Sequence, residues 1–155
     1  MTVLSQFWAT LPASLTTAQK LAQLNATLVA GPPRDVPVSS VLGYLMLNNK
    51  LVGLQSYAAS PPAGASPGAV VVAKELIAGF AFPSFTGFQM SNPTIYSQVS
   101  ASLQALASDT LTGITSADVT ALLNLAATTV PWWEANGYSG PITAAYLTAE
   151  NPPLV

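Results

Sequence analysis

The apolar residues of this chain recur at helical spacing almost throughout. Leu21, Leu24 and Leu28 lie three and four residues apart behind Thr16 and Thr17, either of which can cap, and Gly31-Pro32-Pro33 stops the pattern. A helix is therefore predicted from about 16 to 30. After the connector Arg34-Asp35-Val36, Pro37 suits a first helical turn. Val41, Leu42, Leu45, Leu51, Val52 and Leu54 then predict a helix over about 38–58, kinked or divided in two at Asn48 and Asn49. Over 67–81, Val70-Val71-Val72 favours strand through β-branching, but Val72, Leu76, Ile77 and Phe80 share one helical face, and Ser66-Pro67 supplies a cap and a first-turn proline. Helix is the prediction. Ile95, Tyr96, Val99, Leu103 and Leu106 continue the pattern to about 108 behind Asn92-Pro93, with Ser91 as a second candidate cap. Thr115-Ser116-Ala117-Asp118 resembles a capping box, and Val119, Leu122, Leu123, Ala126 and Val130 mark the buried face behind it. Pro131 is predicted to end that helix, because a residue before proline is pushed out of the helical region. A short last helix falls around 143–149, with Tyr146 and Leu147 on its apolar side.

Between these patterns lie the segments that carry the aromatic residues. Residues 1–15 read as a short amphipathic turn or an N-terminal arm; Trp8 within them is either a core residue or an anchor on a neighbour. Residues 60–68, rich in Pro, Gly and Ser, form an exposed loop, since nothing in them offsets the entropy of ordering. Phe82, Phe85 and Phe88 alternate with turn residues, which makes 82–88 a plug for the core or an apolar lip for a partner or small ligand. Pro131-Trp132-Trp133-Glu134-Ala135-Asn136-Gly137-Tyr138 places two of three tryptophans between a stop and a turn. It reads as a clasp on the bundle's end, or a contact surface if the rings are exposed. Residues 150–155, with Asn151-Pro152-Pro153, read as a tail. The whole is expected to be all-α: one domain over 1–155, a compact bundle of about five to six helices with Pro/Gly-rich loops.

Composition changes this picture in one respect. Half of the residues are hydrophobic, yet only 6% are charged and the formal net charge is −2, where soluble domains carry about 25% charged residues. The surface must be made of Ser, Thr, Asn, Gln and Ala, which suits a protein packed against other subunits and equally a monomer with a Thr/Ser-rich exterior. There is no Cys and no His, so thiolate chemistry, Cys or His metal ligation and a histidine base are excluded. Lys20, Arg34, Lys50 and Lys74 are scattered and form no patch for phosphates, so no nucleic-acid partner is expected. No window reaches the ~18 apolar residues of a membrane span, and the N-terminus lacks the positive region of a secretory signal. Synthesis in a cytoplasm and no membrane association are the expectation.

Of the carboxylates, Asp35, Glu75, Asp109, Asp118, Glu134 and Glu150, only Glu134 lies beside aromatic residues of the kind that stack on a sugar, and no second carboxylate is placed near it by sequence. No nucleophile signature or phosphate loop occurs. An enzyme is not expected, and neither is a cofactor or a metal.

Thr129-Val130-Pro131-Trp132-Trp133, followed by Ala135-Asn136-Gly137-Tyr138 and the Gly140-Pro141-Ile142 turn, resembles the C-terminal part of small phage- and prophage-encoded proteins associated with virions; the resemblance covers about 115–147. It implies a structural or assembly component of the capsid, neck or tail, made in the host cytoplasm and residing in the virion. Its partners would be other virion proteins or further copies of itself. The residues expected to make those contacts are Trp8, Phe82, Phe85, Phe88, Trp132, Trp133 and Tyr138, since interface anchors are enriched in aromatics. The alternative is a module binding a glycan or small ligand, with Trp132, Trp133 and Tyr138 as stacking surfaces.

Overall fold

The computed structural model describes residues 2–150, Glu150 by its backbone alone; the expected tail beyond it lies outside the described residues. The chain is mostly helical, with two small antiparallel ladders. Its described residues gather into two compact units, one made of 2–31 and 128–150, the other of 32–127. Of the segment 60–68, read as a loop, residues 60–66 are a largely exposed loop inside the second unit and 67–68 already open a helix.

In the first unit, α1 (Val3–Thr10) begins at Thr2, whose hydroxyl accepts the Ser5 N–H at 3.2 Å. Helix α2 (Thr17–Ala26) starts with a reciprocal box: Gln19 N–H donates to the Thr16 hydroxyl at 3.3 Å, and Thr16 N–H donates to Gln19 Oε1 at 2.9 Å. The helix stops at Ala26 rather than near 30. Leu28–Ala30 instead forms strand β1, paired with β4 (Thr129–Pro131) in the register Leu28↔Pro131, Val29↔Val130, Ala30↔Thr129. Gly31, read as a helix stop, serves that approach: a Cβ there would lie 2.6 Å from Thr128 Oγ1 and 2.9 Å from Val130 Cγ1. Helix α8 (Trp132–Ala135) follows β4 directly, and the Trp132 N–H donates to Thr27 O at 2.9 Å. The amide of Asn25 clamps the segment before α9 (Ala144–Glu150) from both sides, donating to Ile142 O at 2.9 Å and accepting Ile142 N–H at 2.8 Å. Leu4, Trp8, Leu11, Leu24, Trp132, Ile142 and Leu147 close the core of this unit.

The second unit runs from β2 (Val36–Pro37) into α3 (Val38–Leu47) and α4 (Leu51–Ala59). The expected division of 38–58 is present: Asn49 takes the left-handed conformation at φ 56°, and the Asn48 amide donates to Tyr44 O at 2.9 Å. Asn is the non-glycine residue that most readily takes the left-handed conformation. Helix α5 (Pro67–Ala81) has Ser66 at its cap position and Pro67 in its first turn, but the Ser66 hydroxyl makes no capping bond. Strand β3 (Gly87–Phe88) pairs with β2 as Val36↔Phe88 and Pro37↔Gly87. Helix α6 (Pro93–Ser108) is capped by Asn92, which accepts from Thr94 N–H at 3.0 Å and Ile95 N–H at 3.4 Å. A 3₁₀ turn (Thr110–Thr112) leads through the left-handed Gly113 to α7 (Ser116–Asn124), whose Thr115–Asp118 capping box is formed as expected. The core includes Leu45, Leu54, Ala73, Leu106 and Ala126.

Nine helices and four short strands occur among the described residues, against the expected five to six helices. The helix count rises through α1, the division of 38–58 and α8, and the predicted runs 16–30 and 115–130 give way to the strands β1 and β4. Val29, Thr129 and Val130 are β-branched, and pairing of Leu28–Ala30 with Thr129–Pro131 gives their backbone groups partners that a further helical turn would otherwise have supplied. Pro131 therefore ends β4 and precedes a helix instead of terminating one.

Gly87 and Gly53 test the packing argument in opposite directions. A Cβ at Gly87 would lie 2.8 Å from the Val36 carbonyl oxygen and 3.2 Å from Pro37 Cα, whereas one at Gly53, inside α4, would meet nothing within 4 Å. Gly87→Ala is expected to lower stability by about 1–3 kcal/mol. Gly53→Ala is expected to raise it by about 0.5–1 kcal/mol, both read by urea unfolding.

Candidate functional site

The seven aromatic residues singled out in the sequence fall in the two units. In the first, Trp8 is only 2% exposed and Trp132 only 6%. The Trp132 ring lies between Phe7 (centroids 4.7 Å apart, 41° between planes) and Tyr138 (6.0 Å, 23°), and Tyr138 in turn meets Tyr146 edge-on at 5.5 Å. Trp8 carries the Lys20 ammonium 5.6 Å from its ring centroid. Of this group Trp133 and Tyr138 are half-buried, and Glu134 is exposed beside them. Trp8 and Trp132 thus fill the core instead of offering a surface, because Phe7, Tyr138 and the aliphatic residues of α1, α2 and α9 close over them. A sugar has no free Trp132 face on which to stack.

In the second unit, Phe82 is 63% exposed at the end of α5, while Phe85 and Phe88 are half-buried and meet edge to face, 5.0 Å apart at 88°. Both line an apolar cavity of about 320 Å³. Its walls come from one face of α5 (Val72, Glu75, Leu76, Gly79) and one face of α6 (Gln98, Val99, Ser102, Leu103, Leu106), with Val41, Leu45 and Leu54 from α3 and α4. The spacing along α5 and α6 is the three-and-four repeat that sets side chains on one helical face. Val36, Met90, Ile114 and Leu122 complete it. The 82–88 segment was expected to be either a core plug or an apolar lip; Phe85 and Phe88 belong to the cavity wall, and Phe82 stands outside.

Two buried carboxylates organise the same unit. Asp118 Oδ2 accepts from the Thr115 N–H at 2.8 Å and hydroxyl at 2.7 Å and pairs with Lys50 Nζ at 3.1 Å; Oδ1 accepts the Tyr44 hydroxyl at 2.8 Å. The Lys50 ammonium also donates to Gly113 O at 2.8 Å. Burial works to raise the Asp118 pKa, but the Thr115, Tyr44 and Lys50 bonds outweigh it and hold the carboxyl well below the usual range. The bond to Asp118, and then burial, push the Tyr44 hydroxyl up. Asp109 Oδ2 accepts the Ser66 N–H at 2.6 Å and the Tyr57 hydroxyl at 2.7 Å, and Oδ1 accepts the Leu111 N–H at 2.9 Å. The Ser66, Tyr57 and Leu111 donors lower the Asp109 pKa against the effect of burial, and burial followed by the bond to Asp109 pushes Tyr57 up to about 12.

Such carboxylates, saturated with donors, are fixed anions that position loops rather than proton carriers. In the sequence Asp118 was legible as a capping residue, but its pairing with Lys50 and Tyr44, which lie far off in the chain, was not. Asp109 looked like an ordinary loop residue. The cavity residues Glu75, Gly79, Gln98 and Ser102 had no sequence signal beyond their helical spacing. Among the described residues no three His, Cys, Asp or Glu side chains gather to hold a metal, and no helix is long and apolar enough to cross a membrane.

In comparisons with protein-family models, with curated proteins and with solved structures, nothing matches this chain.

Two outcomes follow from the geometry. Trp132→Ala is expected to cost about 3–5 kcal/mol, as for a large core aromatic, while Phe82→Ser changes stability by less than about 0.5 kcal/mol; equilibrium unfolding separates them, and equal effects would contradict the core role of Trp132. The second concerns acid. Asp109 and Asp118 have folded-state pKa values below their unfolded ones. Their stabilisation is therefore complete above about pH 5 and drains away as pH falls through the ordinary carboxylate range towards the lowered values. Asp118→Asn is expected to cost about 1.5–3 kcal/mol at neutral pH and to flatten the loss of stability below pH 5, measured by urea unfolding at a series of pH values.

Proposed function

We propose that this protein is a structural or assembly component of a phage virion, in the capsid, neck or tail, acting through protein–protein contacts and not through catalysis. The observation that carries the reading is a group of large apolar side chains left in solvent where α3 gives way to α4: Leu47 is 85% exposed, Val52 72% and Met46 63%. They flank the break at 48–50, so one short stretch of chain presents all three. A monomer with many surface charges tolerates scattered exposed apolar residues, but this chain has only 6% charged residues to keep such a group in water. Phe82 adds a second exposed anchor in the same unit. The resemblance of the Pro131-Trp132-Trp133 region to virion-associated phage proteins supports the particle as the setting, with other virion proteins or copies of this chain as partners and the host cytoplasm as the place of synthesis. The contact residues are thereby redrawn: Phe82 stays, and Leu47, Val52 and Met46 take the place of the buried Trp8 and Trp132 as anchors.

The expected result is that the purified protein self-associates or joins particles of the phage that encodes it in fixed stoichiometry, by light scattering and by quantitative mass spectrometry of purified particles. Leu47→Lys combined with Val52→Lys should weaken that association at least tenfold and leave the circular dichroism unchanged. A wild-type protein that is strictly monomeric and also absent from particles would sink the reading.

A further inference from the structure

We infer that the cavity of the 32–127 unit is a binding site for a small, neutral apolar molecule carrying one hydrogen-bonding head. At about 320 Å³ the space falls within the ~300–1,000 Å³ of small-molecule sites, and at interior packing density it holds roughly a dozen non-hydrogen atoms.

The lining has a direction. Leu45, Leu54 and Leu106 are almost wholly buried, whereas Glu75 and Gln98 are exposed and Ser102 is half-buried. An apolar floor thus leads to a polar rim on α5 and α6. The rim carries one carboxylate, one amide and one hydroxyl, and no Lys or Arg contributes to the lining. A fatty acid would bring its own negative charge against Glu75 without a cation to receive it; an alcohol or amide head can bond to all three groups.

Gly79 is a second, independent feature of the wall. It lies inside α5, its φ is not in the left-handed region, and a Cβ there would make an ordinary 3.6 Å contact with the Phe85 ring. Neither backbone conformation nor a clash calls for glycine, although glycine weakens a helix interior. What the missing side chain does provide is room beside Phe85.

The methionines supply the readout, since Met90 is buried in the cavity wall and Met46 is exposed outside it. The protein, labelled with methyl-¹³C methionine, is titrated with 1-decanol and with decanoate at neutral pH. The expected result is a saturable shift of the Met90 methyl with 1-decanol, no matching shift of Met46, and binding of decanoate at least tenfold weaker. Glu75→Gln, on the exposed rim, should bring alcohol and acid to within about threefold of each other. Gly79→Leu, which fills the wall beside Phe85, should weaken 1-decanol at least tenfold in a protein of unchanged circular dichroism; if that variant does not fold, the Glu75→Gln comparison still decides. The absence of a saturable Met90 shift up to the solubility limit of 1-decanol, or parallel shifts of Met46 and Met90, would overturn the site. Equal affinity of wild-type protein for alcohol and acid would overturn the neutral-head assignment. The inference does not depend on the proposed role in a particle.

Discussion

The carboxylate of Asp109 holds together three parts of the larger unit that no local pattern would bring to one place. One oxygen takes the Ser66 N–H that opens α5 and the Tyr57 hydroxyl from α4, and the other takes the Leu111 N–H of the 3₁₀ turn after α6. A buried anion is tolerated only when its lone pairs are filled by donors, so the position of each donor is tied to the other two. The loop at 60–66, rich in Pro, Gly and Ser, has little apolar surface to bury, and its far end is held by this bond together with the contact of Ala65 on the core. Asp118 acts in the same way on α3, the α3–α4 break and the start of α7, through Tyr44, Lys50 and Thr115. Without these two anions the helices would still have apolar faces and caps, but the starts of α5 and α7 would lose their ties to Tyr57 and to Tyr44 and Lys50.

Using charge in this way leaves less of it for the surface. The chain has six acidic and four basic residues; Asp109, Asp118 and Lys20 are buried, and Lys50 is turned onto Asp118 and Gly113. The exterior is consequently poorer in charge than the composition alone implies. The apolar group at Met46, Leu47 and Val52 then lies in a surface with few charges to discourage association, which is the physical basis for reading the protein as a partner in an assembly. The same economy places Glu75 almost alone at the rim of an apolar cavity, where a single negative charge is enough to discriminate between ligand heads.

How much of this was legible in the sequence depends on the range of the interactions. The caps at Thr16, Asn92 and Thr115, the helix through Val70-Val71-Val72, the division at Asn48-Asn49 and the loop that begins at 60, which ends at 66, all rest on neighbours within about one turn, and all of them appear in the structure. The short strands did not announce themselves. Three residues are too few to establish a period of two, and the helical spacing of Leu24 and Leu28, or of Ala126 and Val130, ran straight across the places where the chain becomes extended. The aromatic residues were visible as the chain's main apolar payload, but not their exposure. Trp8 and Trp132 are core, Phe85 and Phe88 line a cavity, and only Phe82 stands well out in solvent.

The sequence by itself determined that this protein would be mostly helical, where most helices begin, and that Cys and His chemistry would be absent, because capping, periodicity and composition are local or additive properties. Only the tertiary structure decided that Leu28–Ala30 would pair with Thr129–Pro131, that Asp109 and Asp118 would be buried anchors, and that α5 and α6 would leave a space beside Phe85. Each of these depends on groups distant in the chain, whose meeting is settled by which backbone and side-chain groups must be satisfied once the core has closed.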